Sequence, residues 1–127
     1  MPLVTLTVRK PRTPEFKTTV LDAVHAALVS SGVPATDRFQ RVLELDAADF
    51  RYDASYPDLA RARTNDFVLI EIVWSVGRSV KVKRKLLDDL MSALSRAGLD
   101  PEQVMVCFKE TQWENWAFGG GRLIHAA

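Results

Sequence analysis

Two hydrophobic periods alternate along the chain. Residues 3–8, L-V-T-L-T-V, alternate strictly, with Val4, Leu6 and Val8 on one face of a strand and Leu3, Thr5 and Thr7 on the other. The period then becomes helical: Phe16, Val20, Leu21, Val24, Ala27 and Leu28 line one side of residues 14–31. Thr13 is placed to cap that helix, and Pro14 takes the first helical position, where a missing N–H costs nothing. Gly32 suits a left-handed C-terminal cap. A Pro34-Ala35-Thr36-Asp37 turn leads to a second strand over 39–45. The same order recurs as a strand over 67–74, a helix over 79–97, Gly98, a Leu99-Asp100-Pro101 turn and a strand over 104–110.

A constant offset of 66 residues aligns the halves, pairing Arg12, Lys17, Leu21, Asp22, Ala27, Leu28 and Gly32 with Arg78, Lys83, Leu87, Asp88, Ala93, Leu94 and Gly98, seven identities over 21 positions. Capping residues and apolar face coincide without a gap, which reads as an internal duplication. Residues 1–127 are therefore expected to form a single domain of two pseudo-repeats, about 2–46 and 67–111. Two β-α-β units predict an α+β fold, a four-stranded sheet with both helices packed on one face. The other face carries Phe67, Leu69, Glu71, Val73 and Ser75 in the third strand, too apolar for open water. That face is expected to meet further copies of the chain in a closed ring. Residues 46–66, polar and containing Tyr52, Tyr56 and three arginines, have the length of a functional loop.

Composition narrows the chemistry. At 127 residues, 47% hydrophobic and 26% charged, the chain has the make-up of one folded domain and not of a disordered or low-complexity segment. Seventeen basic against sixteen acidic residues give a net charge of +1, which provides no field for nucleic acid or an anionic membrane. The basic run Lys81, Lys83, Arg84 and Lys85 is followed by Asp88 and Asp89 and reads as a solvated helix face. One cysteine, Cys107, excludes an intramolecular disulfide and any multi-cysteine metal site, and two histidines, His25 and His125, are too few for a typical histidine-based centre. No metal and no cofactor are expected. The longest apolar runs are far shorter than the roughly 20 residues that span a bilayer, and the amino end lacks a signal-peptide layout, so a cytoplasmic location without membrane association is expected.

Few residues remain that could carry a reaction. Methionine before proline is normally removed after synthesis, which would leave Pro2 as a secondary amine at the start of a buried strand. Burial or a neighbouring cation turns such an amine into a base near neutral pH, whereas a neighbouring carboxylate makes it an acid. If Met1 is retained, the Pro2 nitrogen is an amide and cannot titrate. Arg78 stands at the start of the second helix, where a positive helix end and a guanidinium together suit a carboxylate; its duplicate Arg12 also allows a packing role. Asp37 either caps the turn before the second strand or faces the site. Trp116 and Phe118 either line a pocket or plug the core. Gly119-Gly120-Gly121 lacks the lysine and spacing of a phosphate-binding loop.

These motifs, in this order, resemble the tautomerase superfamily, in particular its malonate semialdehyde decarboxylase-like branch. The resemblance is carried by Met1-Pro2-Leu3, by Val33-Pro34 leading to Asp37-Arg38-Phe39-Gln40, and by Asp49-Phe50 with Tyr52-Asp53. Gly77-Arg78-Ser79 and the run from Glu114-Asn115-Trp116 through Ala117-Phe118 to Gly119-Gly120-Gly121 complete it. It implies a homotrimer with Pro2 as proton carrier and Arg78 as binder of a substrate carboxylate or carbonyl oxygen. Asp37 would orient water or the proline, and Trp116 and Phe118 would form an apolar wall. The branch has a second arginine two residues before the position of Arg78, and here that position is Val76. With one cation fewer, the expected activity is cofactor-independent tautomerisation of a small 2-oxo acid or enol carboxylate. The alternatives are a lyase, decarboxylating or hydrating a 3-oxo or unsaturated acid, and an inactive trimeric binding protein.

Overall fold

The alternation that predicts the first strand also places the core. In the computed structural model, which describes residues 1–126, Val4, Leu6 and Val8 of strand β1 (Leu3–Arg9) are buried, as are Val68, Ile70, Ile72 and Trp74 of β3 (Val68–Ser75). They form one hydrophobic cluster with Val20, Val24, Ala27 and Leu28 of helix α1 (Pro14–Ser30) and with Leu86, Leu90 and Leu94 of α2 (Val80–Arg96). Strands β2 (Phe39–Leu45) and β4 (Val104–Thr111) flank the sheet, whose order is β2-β1-β3-β4. β1 runs parallel to β2 and antiparallel to β3, and β3 runs parallel to β4. The fold is α+β, with both helices on one face, as the sequence predicts.

The two helices keep the 66-residue spacing at both ends. Thr13 Oγ1 accepts from the Phe16 N–H at 3.1 Å, and Ser79 Oγ accepts from the Val82 N–H at 3.2 Å, so each helix starts on a side-chain cap. Gly32 and Gly98, with φ of +112° and +92°, let the chain leave each helix in the left-handed region. Lys17 pairs with Glu44 at 3.1 Å, and the equivalent Lys83 pairs with Glu110. Strand ends differ from the sequence reading by a residue: β1 extends to Arg9, β3 begins at Val68 and β4 reaches Thr111, within the usual uncertainty of such boundaries.

The sheet's other face is open. Register places Leu3, Thr5 and Thr7 beside Phe39, Arg41 and Leu43 on one flank and beside Val73, Glu71 and Leu69 on the other. Phe39, Leu43 and Met105 are exposed there, and Lys109 pairs with Glu71 at 2.5 Å across the strands. The loop 46–66 packs at the end of the sheet where β1 finishes. Tyr52 donates to the Thr64 carbonyl at 2.5 Å, Arg9 lies 4.0 Å above the Tyr52 ring, and Arg61 makes two hydrogen bonds of 2.7 Å to Asp100.

Leu90 is fully buried between the helices and the sheet. Leu90→Ala is expected to lower unfolding stability by about 2–5 kcal/mol through lost burial and the cavity left behind, measured by urea denaturation.

Candidate active site

The start of β1, the start of β2, the ends of β3 and β4 and the N-terminus of α2 meet at one end of the sheet, by the pairing of the strands. Pro2 is buried there. The amine of Met1 lies 3.6 Å from Asp37 Oδ2, an ion-pair contact longer than a hydrogen bond. Asp37 precedes β2; its side chain is 8% exposed, and Oδ2 is buried with no hydrogen-bond partner among the described residues.

Arg78 comes from the turn between β3 and α2. One Nη1–H donates to the Ser75 carbonyl at 2.6 Å, and the guanidinium carbon lies 4.7 Å from the Trp74 ring centre and 5.6 Å from that of Trp113. Planar stacking suits a guanidinium, and the cation retains donors for a ligand. Burial pushes the Arg78 pKa down, while Glu110 and Asp37 oppose the shift. The terminal amine is held below the ordinary value of an α-amino group, chiefly by burial; Asp37 raises it and Arg78 lowers it further. The amine therefore feels both charged candidates.

Trp116 and Phe118 stack at 5.8 Å with planes 5° apart, and with Leu3, Phe39 and Ala117 they line a cavity of about 200 Å³. Arg78 lines a different cavity of about 330 Å³ with Ser31, Val76, Gly77, Val82 and Trp113. The five sequence candidates thus gather at one end of the sheet, but within one chain Trp116 and Phe118 wall a different space from that of Arg78. One residue near the carboxyl end contacts a wall residue of each: the His125 ring stands edge-on to Trp113 at 5.1 Å and to Phe118 at 6.2 Å.

Two contributors escape the sequence reading. Ser75 is fully buried, accepts the Trp116 indole N–H at 3.0 Å and offers its carbonyl to Arg78, so it ties both walls to the end of β3. Trp113 donates its indole N–H to the Val76 carbonyl at 3.2 Å and lies beside Arg78. A small polar residue closing an apolar strand was the available signal for Ser75; for Trp113 only its place before the aromatic loop could have pointed to it. Among the described residues there is no group of three or more His, Cys, Asp or Glu side chains able to hold a metal, and no helix is long and apolar enough to cross a membrane.

The fold is a four-stranded sheet of two β-α-β units with a carboxylate and a guanidinium near the head of its central strand. The chain belongs to the tautomerase family, whose description is tautomerase enzyme and whose match covers residues 37–119. Among solved structures, it is similar to malonate semialdehyde decarboxylase, studied as wild-type, mutant and inactivated protein for its decarboxylase and hydratase activities. That likeness is 30% identity and a TM-score of 0.86 over 95% of this chain and 93% of the other. FG41 malonate semialdehyde decarboxylase inhibited by 3-bromopropiolate gives 27% identity and a TM-score of 0.87, over 95% and 92%. A fused 4-OT described as a symmetric trimer gives 25% and 0.74, over 95% and 94%. No curated protein matches the sequence.

Opposed charges flank the amine, so their removal should move its titration in opposite directions. Asp37→Asn is expected to lower the amine pKa, because the carboxylate favours the ammonium form, and Arg78→Gln to raise it. Titration of the terminal nitrogen by NMR reads both signs.

Proposed function

We propose that this chain is a cofactor-independent tautomerase that uses Pro2, exposed as the terminal amine by removal of Met1, to move a proton between carbon and oxygen of a small 2-oxo acid or enol carboxylate. The observation that carries the reading is the buried head of β1, where the Met1 amine lies 3.6 Å from Asp37, is depressed below its ordinary value by burial, and feels Asp37 and Arg78 in opposite senses. Pro2 is itself buried at that position, so its amine would meet the same opposed fields. A neutral amine accepts the proton from the carbon beside the carbonyl, the C–H electron pair forms the carbon–carbon double bond, and the C=O π pair moves onto the oxygen. Arg78 holds the carboxylate and the negative charge developing on that oxygen. The ammonium, or water, then supplies a proton to the oxygen, and ketonisation follows the reverse course.

A second reading, as a lyase acting by decarboxylation or hydration, draws support from the unpartnered Oδ2 of Asp37, an acceptor suited to orienting water, and from the 30% identity with malonate semialdehyde decarboxylase. The two differ in the amine. A base must be neutral at working pH, whereas a cationic proline would polarise a carbonyl or protonate carbon. We propose also that the open sheet face closes a homotrimer. Support comes from the exposed Phe39, Leu43 and Met105 on that face and from the fused 4-OT described as a symmetric trimer.

If Pro2 acts as a neutral base, kcat/KM for enolisation should fall as pH drops through the pKa of its amine, where the amine takes up its proton. A flat profile with an amine protonated well above neutrality would favour the lyase. Pro2→Ala is expected to reduce the rate by about a hundredfold or more, in line with loss of a general base. Intact-mass measurement of protein from its natural host should show Met1 absent; retained Met1 would leave no catalytic amine and favour a binding role. Light scattering should give three times the chain mass.

A further inference from the structure

We infer that Trp74, backed by Phe108, is the positioning residue for Arg78, its indole face holding the guanidinium at the exit of β3; the inference rests on the role given to Arg78 above. The duplicated half supplies the comparison. There the equivalent Arg12 lies 3.5 Å over the ring of Phe16, in the first turn of its own helix, and pairs with Asp66 at 2.8 Å. Shifted by 66 residues, Phe16 becomes Val82, whose branched side chain offers no flat face, while Val8 and Val42 become Trp74 and Phe108. Three exchanges therefore move the aromatic support of the arginine from the helix to the sheet.

The rings at the Arg78 end have the arrangement this requires. Trp74 and Phe108 stack at 5.2 Å with planes 15° apart, and the Arg78 guanidinium carbon stands 4.7 Å from the Trp74 ring centre. Trp113 is farther, at 5.6 Å, and is half-exposed where Trp74 is fully buried. Lys83 places its ammonium 5.9 Å from the Phe108 ring, so two cations rest on one aromatic pair. A guanidinium is planar and weakly hydrated, and an aromatic face suits it. The Trp74 indole N–H, by contrast, is buried with no hydrogen-bond partner among the described residues. An unpaired buried N–H costs free energy that an aliphatic side chain in the same place would avoid. Filling space alone does not account for this indole; its face, the best of the aromatic side chains for a cation, does.

The test reads the terminal amine by NMR, since Arg78 lowers the pKa of the Met1 amine. Arg78→Gln sets the full rise expected from loss of the cation. Folded Trp74→Leu should give about half of that rise or more, and Trp74→Phe, which keeps a flat face, should stay nearer the wild-type value. General loosening of the core would also admit water and raise the pKa, so the decisive measurement is Trp74→Leu in the Arg78→Gln background. There it should add nothing. No rise in the single variant, or an equal rise in both backgrounds, overturns the inference. A second reading does not need Trp74→Leu to fold. The Arg78 Hδ resonances, identified by their loss in Arg78→Gln, should lie upfield of those of exposed arginines through the indole ring current, in Trp113→Ala as in wild-type protein. Unshifted resonances overturn the inference as well. Neither measurement needs turnover, so failure of the proton-transfer reading, seen as enolisation unchanged by Pro2→Ala, is told apart from failure of this one.

Discussion

A central strand that starts almost at the chain's amino end constrains everything else in this molecule. β1 is hydrogen-bonded on both sides and buried along its length, so the few atoms before Leu3 are drawn into the end of the sheet. An amine there loses water, and burial is the largest influence on its titration. The pairing of β1 with β2 and β3 then sets its neighbours, because the turn into β2 delivers Asp37 and the exit from β3 delivers Ser75 and Arg78. The site is a consequence of topology, and the helices serve it by holding β1 in place.

Duplication makes this clearer by providing a comparison within the same chain. Shifted by 66 residues, Arg78 corresponds to Arg12, Asp37 to Gln103, and Trp116 and Phe118 to Phe50 and Tyr52. At that second end the chain does not begin; it runs on through Asp66 into β3. Arg12 is paired with Asp66 at 2.8 Å and lies 3.5 Å over the Phe16 ring. Gln103 accepts the Thr64 N–H and donates to the Ala62 carbonyl, so the position matching Asp37 is satisfied by the linker. The two ends share the same scaffold, and among the described residues the first holds Asp37 Oδ2 beside the Met1 amine where the second holds a satisfied Gln103.

Legibility in the sequence follows from how local each feature is. Helix limits, caps and the glycines that end both helices depend on residues within a turn of one another, and their spacing of 66 was readable before any coordinates. The buried faces of β1 and β3 followed from alternation. Pro2, Arg78 and Asp37 were readable as candidates because their residue types are chemically unusual where they stand. Ser75 and Trp113 were not, since their roles arise from contacts 37 and 41 positions apart that bring the carboxyl-terminal loop over the end of β3. The separation of Trp116 and Phe118 from the Arg78 cavity was equally invisible, because a loop's path across a sheet end is set by packing and not by period.

That separation has a simple origin in strand geometry. Successive side chains of a strand point to opposite faces, so Leu3 joins Phe39, Trp116 and Phe118 on the open face while Val4, Ile72 and Trp74 face the helices. Arg78 stacks on Trp74 and belongs with the helix face. The terminal nitrogen is held near Asp37, and Arg78 acts on it electrostatically. His125 touches a wall residue of each space, Trp113 of the one and Phe118 of the other. A proton-transfer site needs both: a cation to hold developing charge, and enough exclusion of water to keep the amine neutral. In this chain the cation and the aromatic pair lie on opposite faces of the sheet, and on the proposed reading the amine at the head of β1 would draw on both.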